Sequence, residues 1–118
     1  MITLSEETQI YIYTSPVDMR KSINGLVLLL ADFHQQNPQS GDYFIFTNKQ
    51  HNKIKILFWD CNGFVLYYKR LEKGRFCYSK DIQGDKVIIN PNQLRALLMG
   101  LDFYLLGQYK PESCKDFF

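Results

Sequence analysis

Two hydrophobic periodicities alternate along this chain and predict a mixture of strands and helices. Short runs rich in β-branched and aromatic residues predict strands. These runs are Gln9–Tyr13, Tyr43–Thr47, Lys53–Asp60, Phe64–Leu71 and Lys86–Ile89, with a further short run at Phe76–Ser79. Apolar residues spaced three and four positions apart predict two helices. The pattern indicates an α+β fold, in which an antiparallel β-meander of about four to five strands has two main amphipathic helices packed on one face.

Both predicted helices have a start signal in the sequence. In the first, Ser15 is the expected N-cap, Pro16 takes the first helical position and Asp18 the third, and the helix ends near Gln36. Its apolar stripe consists of Met19, Ile23, Leu26, Val27, Leu30 and Phe33. The second helix repeats the signal at Asn90–Gln93, with a cap, a proline and a glutamine in the third position. Its stripe consists of Leu94, Leu97, Leu98 and Leu101.

The pair Asn62-Gly63 predicts a tight β-hairpin, because these residues favour the central positions of a type I′ turn. Such a turn places Cys61 opposite Phe64, Trp59 opposite Leu66, Leu57 opposite Tyr68 and Lys55 opposite Arg70 on one face. The like charges of Lys55 and Arg70 would then need an anionic group or an acidic side chain nearby. The other face is the better core candidate, and it carries Ile54, Ile56, Phe58, Val65 and Tyr67.

Length and composition indicate one domain, expected over residues 1–107, followed by a polar and partly disordered tail over 108–118. The N-terminus lacks the basic and apolar runs of a signal peptide, and the longest apolar run, Leu26–Ala31, is too short to cross a bilayer. The three cysteines form no CxxC pair, and their odd number argues against a disulfide framework. We therefore expect a cytoplasmic protein without a membrane partner.

Positive charge is concentrated in the second half of the predicted sheet. Between Lys49 and Lys80 there are eight basic residues, 49, 53, 55, 69, 70, 73, 75 and 80, against the two acids Asp60 and Glu72. The remainder of the chain carries six basic and ten acidic residues. A basic block with interleaved aromatic residues is typical of a surface that meets phosphate or an acidic partner. A solvated hairpin, whose lysines only keep a sheet edge soluble, is the alternative.

The sequence offers little catalytic chemistry. His34 and His51 have no cysteine or carboxylate at metal-ligand spacing, and no phosphate-binding, dinucleotide-binding or nucleophile-elbow motif occurs. Asp18 and Asp60 are the acids that a metal-dependent nuclease would need to bring together, and such a site requires several converging carboxylates. We expect a protein that is not an enzyme, with no cofactor, no metal site and no catalytic residue.

Three stretches together resemble a known family. They are Val17-Asp18-Met19-Arg20-Lys21 followed by Gly25-Leu26, then Phe58-Trp59-Asp60 with Gly63-Phe64, and then the run from Lys69 to Phe76, KRLEKGRF. Their order and spacing are similar to those of the accessory protein of the insertion-sequence sixty-six family of bacterial transposons, the product of the second open reading frame. The resemblance covers roughly residues 9–106. It implies a helper in transposition that is encoded beside a separate transposase, and it supplies no catalytic residue.

Charge pattern and resemblance together predict a binding surface for transposon-end DNA or for a protein of the same element. The candidate residues are Arg20, Lys21, Lys53, Lys55, Trp59, Tyr68, Lys69, Arg70, Lys73 and Arg75. In the first interpretation, cations contact phosphates and aromatic rings stack on bases. In the second, the basic strip docks on the transposase or another accessory subunit, with Trp59 or Tyr68 as anchor. Trp59 and Tyr68 have a further alternative, which is packing beneath the loop at 37–42.

Overall fold

The computed structural model describes residues 7–77 and 84–100, which form one mixed β-sheet and two helical elements. The strands are β1 (Ile10–Tyr13), β2 (Tyr43–Thr47), β3 (Lys53–Asp60), β4 (Gly63–Arg70) and β5 (Lys86–Ile89). The helices are α1 (Ile23–Leu28), which continues as a π-helical segment (Leu29–Phe33), and α2 (Pro91–Leu98). The strands lie in the order β4-β3-β2-β1-β5.

The sheet is only partly the antiparallel meander that the sequence predicts. Strands β3 and β4, β2 and β3, and β1 and β5 pair antiparallel, but β1 and β2 are parallel, with Ile10 beside Tyr43 and Ile12 beside Ile45. Parallel neighbours need a crossover connection, and α1 with the π-helical segment supplies it. The prediction of a continuous meander is therefore wrong at β1 and β2.

The two helices pack on opposite faces of the sheet, so the prediction of a single helical face is also wrong. Leu26 and Leu30 pack with the aromatic side of β1 and β2. Leu94 and Leu97 of α2 pack on the isoleucine-rich side. Because both faces are covered, every residue of β2 is buried, as expected for a central strand with helices on each side.

The start of α2 follows the sequence prediction, whereas the start of α1 does not. Asn90 accepts a hydrogen bond from the Gln93 backbone N–H at 2.8 Å, and the Gln93 side chain accepts one from the Asn90 N–H at 2.8 Å. Helix α1 begins only at Ile23, eight residues after the predicted N-cap Ser15. Asp18 instead accepts a bond from the Arg20 N–H and stabilises a turn ahead of the helix.

The hairpin of β3 and β4 forms with the predicted faces but with a register shifted by two residues. Trp59 lies opposite Phe64, and Lys53 lies opposite Arg70, so the predicted pairing of Lys55 with Arg70 is wrong. The turn is made by Cys61, at φ +52°, and Asn62, where the Asn62 N–H donates to the Asp60 carbonyl. A shift of two residues preserves the alternation of side chains, which is why the faces were predicted correctly.

Several predictions concern residues outside those described or only partly inside them. Phe76 and Cys77 are not in a strand, and the rest of the strand predicted at Phe76–Ser79 lies outside the described residues, as do Leu101 and the tail after Gly107. Cys61 is an exposed free thiol. Within residues 7–77 and 84–100, no helix has the length and apolarity to cross a membrane.

Candidate functional site

The turn between β2 and β3, residues 48–52, is the centre of the candidate site. Asn48 is buried, and its side-chain oxygen accepts hydrogen bonds from the backbone N–H groups of Asn52 and Lys53, both at 3.0 Å. Its amide nitrogen donates to the Asn52 side chain at 2.7 Å and to Gln50 at 3.2 Å. The side chain of one asparagine thus bonds two backbone N–H groups and two side chains, which fixes the shape of the turn.

The loop between β1 and α1, residues 14–22, lies against one side of this turn. The Val17 N–H donates to the Thr47 carbonyl at the end of β2, at 2.8 Å. The Lys55 ammonium, from β3, donates to the carbonyls of Met19 and Lys21 at 2.8 and 2.7 Å. Lys55 is only 7% exposed, so these charge-assisted bonds are largely shielded from water. The first family-like motif is therefore held at the end of the sheet.

The loop that follows β4, residues 71–76, lies on the other side of the turn. The Leu71 N–H donates to the Asn52 carbonyl at 2.8 Å, and the Phe76 N–H donates to the His51 carbonyl at 2.6 Å. Phe76 is buried in the core on the α2 side. Between these two attachments the chain turns at Gly74, whose φ of +82° is readily adopted by glycine. The third family-like stretch, Lys69 to Phe76, therefore finishes at the same end of the sheet as the first.

Seven cations of the described residues belong to the loops and strand ends at this end of the sheet, where β1, β2 and β4 end and β3 begins. We call this surface the basic end, and it consists of Arg20, Lys21, Lys49, Lys53, Arg70, Lys73 and Arg75. Lys21, Lys49, Lys73 and Arg75 are exposed, and the side chain of Arg20 is 92% exposed. Arg20, Lys49 and Lys53 line one groove and give it a positive potential, whereas the backbone at Arg75 lies beside Gly100, after α2.

Two acids lie among these cations, and each is engaged by an arginine. Asp18 binds the Arg20 guanidinium through Nε at 3.0 Å and Nη2 at 2.7 Å, and Glu72 binds Arg70 at 3.0 Å. The side-chain hydrogen bonds from Arg20, followed by the bond from its backbone N–H, lower the pKa of Asp18 to about 2. Burial lowers the pKa of His51, so its ring is neutral at pH 7. Lysine and arginine therefore provide the positive charge of the basic end.

An open groove of about 490 Å³ lies on the basic end, between the β1–α1 loop, the β2–β3 turn and the start of the hairpin. Its lining residues are Pro16, Val17, Asp18, Met19, Arg20, Asn48, Lys49, Gln50, Lys53 and Tyr68. Three of these are cations and one is an acid. The groove thus combines a partly apolar wall, one aromatic ring and a net positive charge, which suits an anionic ligand with a flat apolar part.

Three of the residues singled out from the sequence lie elsewhere or have other contacts. Lys55 is bound to two carbonyls, as described above. The Lys69 ammonium donates to the Leu98 carbonyl at 2.6 Å and so stabilises the C-terminal end of α2, on the other face of the sheet. Trp59 lies near the hairpin turn, where its ring meets Phe64 edge to face with centroids 5.0 Å apart. Tyr68 lies towards the other end of the hairpin, opposite Lys55 and in the groove.

Two residues of the site were missed by sequence reasoning. Lys49 lines the groove, whereas the charge pattern places it only in the basic block. The sequence signal for its place in the site is its position in a turn-prone stretch close to Lys53. Asn48 organises the turn through four side-chain hydrogen bonds, and an asparagine after a strand indicates only that a turn begins. Among the described residues, no group of three histidine, cysteine or acidic side chains is placed to hold a metal ion.

Comparison with known proteins agrees with the motifs that converge here. Residues 8–107 match the family described as IS66 Orf2 like protein. Two proteins of Sinorhizobium fredii are similar over 103 residues: the uncharacterized protein y4jC at 33% identity, covering 87% of each chain, and the uncharacterized protein y4hO at 31%, covering 87% of this chain and 89% of its own. No solved structure matches the chain. The chain belongs to the family of IS66 Orf2 like proteins, which are accessory proteins associated with transposition.

Proposed function

We propose that this protein is a non-catalytic accessory factor that contacts the DNA of its transposon through the basic end. The observation that carries the proposal is the meeting of cations from two distant segments around one groove, Arg20 from the β1–α1 loop and Lys49 and Lys53 from the β2–β3 turn and the start of β3. Phosphate is the partner that such a surface suits best, because lysine and arginine side chains bind phosphate oxygens of any sequence. We place this activity in the cytoplasm, beside the transposase of the same element.

The proposed contact is with the DNA backbone rather than with base edges in a groove of the duplex. A recognition helix needs an exposed face that can enter the major groove. Helix α1 and its π-helical continuation, residues 23–33, carry no lysine or arginine, and α2 carries only Arg95. The exposed cations of the basic end, by contrast, are on loops and strand ends, where they can follow phosphates. We therefore expect salt-sensitive binding with little sequence preference.

The positions of the acids support a non-catalytic role. Asp18 lies at the basic end, and Asp60 lies at the opposite end of β3, beside the hairpin turn. An eight-residue strand separates these ends by about 25 Å. The two carboxylates cannot share one metal ion, and Asp18 is already bound to Arg20. A cleavage assay with Asp18→Asn and Asp60→Asn variants tests this point, and DNA cutting by the unmodified protein would contradict it.

Docking on the transposase or another accessory subunit, without DNA contact, is the second candidate. It is favoured by large apolar side chains that are open to solvent on the helical crossover, Leu28 at 60% and Phe33 at 70% exposure. Co-purification with the transposase tests it. If Arg70→Glu and Arg75→Glu leave such a complex intact, the basic end is not its interface, and the exposed crossover becomes the surface to examine.

The DNA proposal is tested by fluorescence anisotropy with labelled duplexes from the transposon end and of unrelated sequence. The variant Arg20→Ala/Lys49→Ala/Lys53→Ala removes three groove cations and is expected to weaken binding to both duplexes by about tenfold or more. Arg95→Ala is the matched control, because Arg95 is an exposed arginine on α2, on the other side of the sheet. Absence of binding, or a triple variant that binds as tightly as the unmodified protein, would contradict the proposal.

A further inference from the structure

Tyr68 has a ring that is half open to solvent inside the groove. It is 51% exposed and lies opposite Lys55 on β4, a strand at the edge of the sheet. The Lys55 ammonium lies 5.0 Å from the ring centroid, over one of the two ring faces. That ammonium is itself fixed by the Met19 and Lys21 carbonyls. The ring is thus held against a cation on one side, and its exposed part contributes to the groove.

The surroundings of this ring suit one unpaired nucleotide. Lys49 and Lys53 line the same groove as Tyr68, so an aromatic platform and two cations act on one ligand. A volume of about 490 Å³ lies within the range of small-molecule pockets, so the groove has room for one nucleotide, whereas a duplex would lie across its opening. In a duplex the base faces are covered by their neighbours, whereas an unpaired base offers a free face for stacking.

We propose that the groove binds one unpaired nucleotide of single-stranded DNA, with the base stacked on Tyr68 and the phosphate held by Lys49 and Lys53. The proposal rests on the proposed function, because it requires that this protein meets DNA at the basic end. It adds the form of DNA that the groove selects. Arg20, which is bound to Asp18 at the rim, lies where it can contact a neighbouring phosphate.

The test compares labelled oligothymidine of about 12 nucleotides with a blunt duplex, using the full chain. Tyr68→Leu is expected to weaken binding to oligothymidine by roughly 5- to 100-fold and to leave duplex binding unchanged. Tyr68→Phe keeps the ring and is expected to bind both as the unmodified protein does. If Tyr68→Leu does not fold, Tyr68→Trp in a Trp59→Phe background replaces it, and its emission is expected to be quenched by oligothymidine and not by duplex.

The outcomes separate this inference from the proposed function. In one outcome, duplex binding depends on the groove cations, but Tyr68→Leu does not change oligothymidine binding. This outcome overturns the nucleotide site and leaves the proposed function standing. An equal loss for both DNA forms also overturns it, since the ring would then have no preference for an unpaired base. Absence of binding to either form overturns both.

Discussion

Lys55 is the residue that joins the hairpin to the β1–α1 loop. It is buried on β3, and its ammonium satisfies two backbone carbonyls of the loop while it lies over the Tyr68 ring. A buried charge needs such partners, because its desolvation is costly otherwise. Lys55 therefore positions the surface that carries Arg20 and does not itself present a free charge to a ligand.

Replacing this ammonium with an apolar group of similar length tests that role. Lys55→Met is expected to lower the free energy of unfolding by about 2 kcal/mol, because two carbonyls lose charge-assisted hydrogen bonds. Lys53→Met, two residues earlier and less buried, is the control and is expected to change stability little. Urea unfolding measures both. If the Lys55→Met variant is as stable as the unmodified protein, these bonds make no net contribution to the free energy of unfolding.

Asp18 is expected to titrate with a pKa of about 2, because the Arg20 side chain and then the Arg20 N–H bind its charged form. A carboxylate whose pKa is lowered on folding adds stability above its unfolded pKa of about 4, and this contribution is lost as the pH falls towards 2. Carboxyl chemical shifts in an NMR titration measure the value. Arg20→Ala removes the side-chain bonds and keeps the backbone N–H, so it is expected to raise the pKa of Asp18 part of the way towards 4, and a pKa that does not change would contradict the observed pairing.

Local sequence patterns identify these residues but not their partners. Lys55 bonds to residues 34 and 36 positions earlier, and Lys69 bonds to a carbonyl 29 positions later. Local patterning shows that a lysine is on a strand and which face it belongs to. It does not show which distant loop covers that face. The charge pattern alone therefore predicts that both lysines contact a ligand.

Helix α2 shows the scale at which local signals are sufficient. Its cap, its proline and its third-position glutamine lie within four consecutive residues, and both capping bonds form as predicted.

Asn90→Ala is expected to lower the free energy of unfolding by about 1 kcal/mol. Asn92→Ala, an exposed first-turn asparagine that accepts only from Arg95 among the described contacts, is the control. An equal effect of both substitutions in urea unfolding would show that the cap is not specific.

At α1 a similar signal was misleading for an identifiable reason. Ser15 and Pro16 resemble a helix start, but the Val17 N–H is bound to β2 and Asp18 is bound to Arg20. Because of these contacts, the seven residues 16–22 form a loop, and the helix begins only at Ile23. The position of the hairpin turn also differs from the prediction, because Cys61 has the positive φ that was expected at Asn62 and Gly63.

At the scale of the molecule, strand order could not be predicted from local patterns. Hydrophobic alternation identified β1 to β5, but it does not distinguish a parallel from an antiparallel neighbour. The parallel pairing of β1 and β2 places α1 on one face and leaves the other face to α2. The same pairing brings the ends of β1 and β2 together, and this is what gathers the two motif loops around one turn.

The central claim is that Lys49 and Lys53 at the basic end contact DNA phosphates, and the salt dependence of binding tests it most directly. The slope of log K against log salt concentration counts the phosphates neutralised. For a duplex, Lys49→Ala/Lys53→Ala is expected to make the slope shallower by about 2, and Arg95→Ala to leave it unchanged. A double variant with the slope of the unmodified protein would contradict the claim.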